Sequence, residues 1–153
     1  MRPSVALLDE SLGARLNAFL RPLPPSWQRW IVTPSSSDIG AHAVPRLSAT
    51  TKSQSCICQE GACIRDAVLA AVPDRAFIAA VIVQPALACL CLCADAVFVP
   101  SNLVAWCRTH GIPTTHARTL PELALLWERF LRAAQWRTRY QAHRYRHHCL
   151  EIE

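Results

Sequence analysis

The chain has 153 residues, of which 52% are hydrophobic and 18% charged, and it carries a net charge of +5. Its composition excludes intrinsic disorder for most of the chain, and its length corresponds to one domain. The 4 glycines are isolated from one another, which excludes a glycine-rich phosphate loop and a dinucleotide fingerprint. We therefore expect one folded domain that lacks the common ATP and NAD motifs.

The N-terminal half begins with a predicted strand at 4–8, a helix that opens at Asp9, and a second strand at 29–33. Residues 34–55 are rich in serine and threonine and show no sustained periodicity. A segment of this length without a pattern predicts an irregular loop.

The C-terminal half alternates in the same way, and its clearest element is a long helix that opens with the capping-box sequence at Thr119. Helices are also predicted at 63–72 and 101–110, and strands at 96–99 and 112–115. The alternation predicts an α/β fold: a single layered domain at 1–135 with a largely parallel sheet and a long C-terminal helix. Residues 136–153 are predicted to extend that last helix as a basic, aromatic segment.

Residues 76–94 are apolar apart from Gln84 and allow two interpretations. The β-branched and aromatic residues of 77–83, and the period-two spacing of Cys89, Cys91 and Cys93, favour buried strands. The length of the segment approaches the roughly 20 apolar residues of a membrane-spanning helix, but Pro85 near its centre would break such a helix. We expect strands, and association with a membrane through 76–94 is a third hypothesis for the function.

Acidic residues follow the predicted strands, and in α/β folds ligands bind beyond the carboxyl ends of strands. Asp9, Glu10 and Asp38 are therefore candidate catalytic residues that, with Asp95, would hold a divalent cation. The opening from Val5 to Glu10 resembles the start of PIN-like nuclease domains, which implies a metal-binding role for Asp9. The later acidic positions of such domains are not found. The structural alternative is that Asp9 and Glu10 stabilise the positive end of a helix.

The 8 cysteines have no disulfide pattern, and the first residues lack the apolar core of a secretory signal. We therefore expect a cytoplasmic protein with reduced thiols. Cys56, Cys58 and Cys63 are candidate ligands for zinc or another metal, although their spacing differs from that of structural zinc sites. A nucleophilic pair of Cys107 and His110 is a further possibility, but the position of Cys107 in its helix does not favour a thiolate.

The excess positive charge lies in one segment, because five arginines and no acid fall between residues 132 and 148. Arginine binds phosphate and aromatic rings stack on bases, so this mixture predicts contact with nucleic acid or with an acidic protein surface. The leading hypothesis is a non-enzymatic binding or accessory protein without a cofactor. The alternative is a small metal-dependent phosphoryl-transfer enzyme or nuclease that uses the acidic residues. The candidate binding residues are Arg132, Trp136, Arg137, Arg139, Tyr140, Arg144, Tyr145 and Arg146.

Overall fold

The structure is a computed structural model that describes residues 2–34, 44–48, 50–51 and 62–151. Its strands are β1 (Ser4–Asp9), β2 (Gln28–Thr33), β3 (Arg46–Ser48), β4 (Thr50–Thr51), β5 (Ala62–Cys63), β6 (Phe77–Val81), β7 (Ala96–Pro100) and β8 (Thr115–Ala117). Its α-helices are α1 (Leu16–Leu20), α2 (Ile64–Ala71), α3 (Leu90–Cys93), α4 (Val104–Thr109), α5 (Leu120–Ala133) and α6 (Tyr140–Glu151). Short 3-10 helices precede α1, α3 and α4, at Glu10–Arg15, Pro85–Leu87 and Ser101–Leu103.

Six strands form one sheet in the order β3-β2-β1-β6-β7-β8, and every neighbouring pair is parallel. The chain moves outward from β1 to β3, returns to β6 beside β1, and then moves outward to β8. This is the strand order of doubly wound α/β sheets, in which the direction of winding reverses between β1 and β6. The predicted α/β domain with a largely parallel sheet is confirmed.

Helices cover both faces of the sheet, which explains why its central strands are apolar on both sides. On one face, α1 and α5 bury Phe19 and Trp127 against a cluster that includes Phe77 and Phe98. On the other face, α2, α3 and α4 pack on alternate residues of the same strands, among them Ile78. Helix α5 begins as its sequence predicts, because the Thr119 hydroxyl accepts a hydrogen bond from the backbone N–H of Glu122.

Two segments differ from their predictions. Part of the predicted loop at 34–55 is strand, since β3 pairs with β2 at the edge of the sheet. The predicted strand at Cys89, Cys91 and Cys93 is wrong, because Cys89 is the N-cap of α3 and Cys91 and Cys93 lie within that helix, before β7. Pro85 starts the preceding 3-10 turn, and the segment is buried as a helix. Within the described part of the chain, no helix combines the length and apolar character needed to cross a membrane.

The C-terminal basic segment is not an extension of α5, which corrects the predicted long helix. Helix α5 has 14 residues and ends where Ala134 adopts a left-handed conformation with φ of 51°. The chain then turns, and a separate helix of 12 residues, α6, begins at Tyr140. Helix α6 packs on α3 and lies on the same side of the sheet as α2 and α4.

Candidate ligand-binding cleft

Asp9 lies at the carboxyl end of β1, at the point where the winding of the sheet reverses, but its carboxylate is fully buried. Oδ1 accepts hydrogen bonds from the backbone N–H and the hydroxyl of Ser11, both at 2.8 Å, and from Gln84 Nε2 at 2.7 Å. Oδ2 accepts from the backbone N–H groups of Val83 and Gln84 at 2.7 and 2.9 Å. Since two carboxylate oxygens offer about four lone-pair positions, five donors leave no space for a cation.

Of the other acidic candidates, Glu10 and Asp95 do not join Asp9. Glu10 forms an ion pair with Arg46, with 3.0 Å between Glu10 Oε1 and Arg46 Nη2, and Asp38 lies outside the described residues. Asp95 precedes β7, at the amino end of the sheet, whereas Asp9 is at the carboxyl end. The expectation that Asp95 converges with Asp9 is therefore wrong.

Of the three cysteine candidates for a metal site, the structure describes the position of Cys63. Cys63 belongs to β5, while Cys56 and Cys58 lie outside the described residues. No group of three or more histidine, cysteine or acidic side chains is placed to hold a metal among the residues with described positions. His110 Nδ1 lies 2.9 Å from the carbonyl oxygen of Trp106, and the His110 ring packs on the Trp106 ring with 4.2 Å between centroids. His110 is therefore placed by Trp106.

Asp95 is instead the centre of a buried network that holds α6 on the domain. Its carboxylate accepts from the backbone N–H of Ile78 at 2.9 Å and of Arg139 at 2.8 Å. Arg146 Nη2 donates to Asp95 Oδ2 at 3.0 Å, and His143 Nε2 lies 3.1 Å from Asp95 Oδ1. Burial and the positive charge of Arg146 lower the pKa of His143, and Asp95 opposes them. The network neutralises part of the charge that the sequence concentrates in this segment.

Arg139 and Arg146, both predicted to contact a partner, direct their guanidinium groups into the protein. Arg139 donates to the carbonyl oxygens of Cys91, Leu92 and Ala94 at 2.8 to 3.1 Å, and so satisfies the C-terminal end of α3. Arg146 is 4% exposed and donates to the carbonyl oxygens of Cys93 and Ala76 at 2.8 and 2.9 Å. The guanidinium groups of these two candidate binding residues are thus used in hydrogen bonds within the domain.

A second contact joins α6 to α2. Arg65 is fully buried, its guanidinium carbon lies 4.8 Å from the centre of the Tyr145 ring, and Nη1 donates to the Tyr145 hydroxyl. Trp136, between α5 and α6, packs edge to face on Trp27 with 4.9 Å between ring centroids. Trp136 and Tyr145 are therefore half-buried in contacts within the domain.

The docking of α6 forms a cleft of about 430 Å³, here named the α4–α6 cleft, between α3, the end of α4 and α6. Gly111, with φ of 68°, ends α4 at the rim and turns the chain toward β8. None of the described residues that line the cleft is acidic. The side chains that line it belong to Leu92, His110, Arg139, Gln141, Arg144 and Tyr145.

The remaining predicted binding residues are exposed, and one of them, Arg144, lines the cleft. Tyr140, at the start of α6, is 75% exposed, and Arg144 lies one helical turn further on. Arg144 is exposed and forms no ion pair with any residue that the structure describes. Arg137 is also exposed, while Arg132 forms an ion pair with Glu128 on the surface of α5. The structure thus places Tyr140 and Arg144 one helical turn apart, with Arg144 at the rim of the cleft.

Sequence reasoning did not identify the Asp95 network or the contribution of His110 to the cleft. The sequence contained one signal of the network, the helical spacing i, i+3, i+7 of Arg139, Ala142 and Arg146. In the structure, Ala142 and Arg146 are buried. Comparison of the chain with protein-family models, with curated proteins and with solved structures finds no match.

Proposed function

We propose that this protein is a binding protein that takes a segment of single-stranded nucleic acid along α6 and into the α4–α6 cleft. The observation that carries the proposal is the pairing of an exposed aromatic ring with an unpaired cation. Tyr140 is 75% exposed, and Arg144 follows it by one turn at the rim of a cleft without acidic lining. A base stacks on the Tyr140 ring while Arg144 contacts the adjacent phosphate.

The size and charge of the α4–α6 cleft support a ligand of this kind. Its volume of about 430 Å³ falls within the range of small-ligand sites, so that it accommodates one nucleotide. Arg139 adds positive charge at the wall of the cleft even though its donors are occupied by carbonyl groups of α3. His110 presents a further nitrogen-bearing ring at the opposite rim.

A single strand fits these features better than an acidic protein surface does. Acidic side chains would use Arg144 but would leave the Tyr140 ring exposed to water. Any base can stack on an aromatic ring, and this stacking requires no second side chain from the protein. The contacts of Asp9 also favour a binding function over metal-dependent phosphoryl transfer, because five hydrogen-bond donors already occupy its carboxylate oxygens.

The test is fluorescence anisotropy with a labelled single-stranded oligonucleotide, titrated with the wild-type protein and with variants. Tyr140→Ala is expected to weaken binding about 5- to 150-fold, since stacking contributes about 1–3 kcal/mol per base. Arg144→Ala is expected to weaken binding and to reduce the slope of log affinity against log salt concentration by about 0.7.

Arg118→Ala is the matched control, because Arg118 is also exposed but follows β8 at the opposite end of the sheet. It is expected to leave the affinity unchanged, and circular dichroism should show that all three variants keep the fold. Polyglutamate serves as competitor. Equal loss of binding in Arg118→Ala, or displacement of the oligonucleotide by polyglutamate at equal charge concentration, would contradict the proposal.

A further inference from the structure

His110 lines the α4–α6 cleft, and two contacts with Trp106 hold its imidazole ring in one orientation. The two rings pack with 4.2 Å between their centroids, and His110 Nδ1 lies 2.9 Å from the carbonyl oxygen of Trp106. The residues are one helical turn apart, and His110 is the C-cap of α4. The fold therefore sets the positions of the two ring nitrogens before a ligand binds.

The contact with the carbonyl group determines which nitrogen of the neutral ring carries the proton. A carbonyl oxygen only accepts hydrogen bonds, so Nδ1 is the donor and Nε2 is an acceptor. Among the residues that the structure describes, none bonds to Nε2 of His110. His110 thus offers a ligand one hydrogen-bond acceptor, whereas Arg144 on α6 offers donors to the same cleft.

These two groups suit different parts of a nucleotide. The guanidinium group of Arg144 binds phosphate, but an unprotonated ring nitrogen has no proton to donate to a phosphate oxygen. Each of the natural bases has an N–H group on its Watson–Crick edge, either an amino group or a ring N–H, that can donate to such a nitrogen. In a duplex these N–H groups are bonded to the opposite strand. An acceptor in the cleft therefore suits an unpaired base.

We propose that His110 is a specificity-determining residue, whose Nε2 accepts a hydrogen bond from the Watson–Crick edge of an unpaired base in the α4–α6 cleft. Arg144 then holds the phosphate that joins this base to the base stacked on Tyr140. Gln141 also lines the cleft, and its amide both donates and accepts, so it adds no requirement for one kind of base. This inference rests on the proposed binding of single-stranded nucleic acid, and it names the group by which the cleft selects unpaired bases.

The test is fluorescence anisotropy at about pH 8, above the ordinary pKa of histidine, with two labelled single strands of equal length. One strand is oligodeoxyadenylate, and in the other each adenine is replaced by purine, which lacks the 6-amino group. This exchange removes the N–H donor of the Watson–Crick edge and keeps the ring system and the phosphates. The wild-type protein is expected to bind the purine strand about 2- to 13-fold more weakly, the value of one neutral hydrogen bond.

His110→Phe keeps an aromatic ring beside Trp106 and removes both nitrogens. It is expected to bind the two strands equally, because it loses affinity for the adenine strand alone. His116→Phe is the matched control, since His116 is an exposed histidine on β8, and it should keep the preference of the wild-type protein. Circular dichroism should show that both variants keep the fold.

The outcomes separate this inference from the proposed function. If the wild-type protein bound neither strand, the proposed function would fail and this inference with it. If it bound both strands with equal affinity, the role of His110 alone would be overturned, and this comparison needs no variant. A preference for adenine that persists in His110→Phe, or that disappears in His116→Phe, would also overturn the role of His110.

Discussion

Replacement of Arg146 by methionine tests whether α6 is held to the domain by the Asp95 network. Methionine keeps an unbranched apolar side chain in the space but removes the three hydrogen bonds to Cys93, Ala76 and Asp95. Removing one partner of a buried ion pair costs about 3–5 kcal/mol. Asp95 keeps the N–H groups of Ile78 and Arg139. We therefore expect the lower end of that range, about 3 kcal/mol.

This loss is large enough to measure by thermal unfolding. For a domain of this size, about 3 kcal/mol corresponds to a fall in Tm of roughly 6–12 °C, or to a matching fall in the urea midpoint at unchanged slope. Arg144→Met is the matched control, because Arg144 is exposed two residues earlier on the same helix. A surface change of that kind is expected to stay within about 0.5 kcal/mol.

A double-mutant cycle separates the ion pair from general packing. If Arg146 stabilises the fold through Asp95, the Asp95→Asn and Arg146→Met changes together should cost about 0.5–3 kcal/mol less than the sum of the single changes. Equal Tm values for Arg146→Met and Arg144→Met would refute the reasoning, because α6 would then not depend on the buried network. Strict additivity in the cycle would show that Arg146 acts through its carbonyl partners alone.

Two further predictions concern the other buried polar groups. Asp9→Asn places an amide N–H₂ against groups that already donate hydrogen bonds, so we expect the free energy of unfolding, measured in urea, to fall by about 2–4 kcal/mol. Glu10→Gln is the control and is expected to lower it by less than about 1 kcal/mol. A loss no larger than that of the control would contradict a structural role for Asp9. Because burial lowers the folded-state pKa of His143, the unfolded chain binds more protons below pH 6.5, the ordinary pKa of histidine, and stability should decline as the pH falls through that value. His143→Gln is expected to reduce this decline of Tm with falling pH, whereas His116→Gln, at an exposed position, should not change it. An unchanged dependence of Tm on pH in His143→Gln would contradict the role assigned to His143.

The features that could be predicted from the sequence are those set by local patterns. The strands around Leu7 and Ile31 and the helix around Trp127 lie where apolar periodicity and the Thr119 cap place them. The parallel arrangement of the sheet follows from the alternation of strands and helices, because two parallel strands must be joined by a crossover segment, which is usually a helix. The edge strand β3 was missed because its three residues carry one apolar side chain, Leu47, and its position depends on pairing with β2.

The error at Cys89, Cys91 and Cys93 has a physical cause. Period two identifies a strand only when apolar and polar residues alternate, because only then does one face differ from the other. Here cysteine alternates with leucine, and both are apolar, so the pattern has no information about faces. A helix buried on most sides produces the same composition. The proline at residue 85, which begins the 3-10 turn, was the better signal.

The candidate site was only partly predictable, because composition does not separate cations that face solvent from those that face the fold. The separation follows from geometry: residues 139, 142 and 146 lie on one side of α6 and meet α3, while Tyr140 and Arg144 lie on the other. Asp95 determines which side of α6 faces the domain, because its buried carboxylate needs the hydrogen-bond donors that Arg139 and Arg146 supply. The same packing that uses these two arginines leaves Tyr140 and Arg144 exposed, with Arg144 at the cleft. Variants of Arg146 and Arg144, two residues apart, should therefore separate two effects of the positive charge in this segment: stability depends on Arg146, and the proposed binding depends on Arg144.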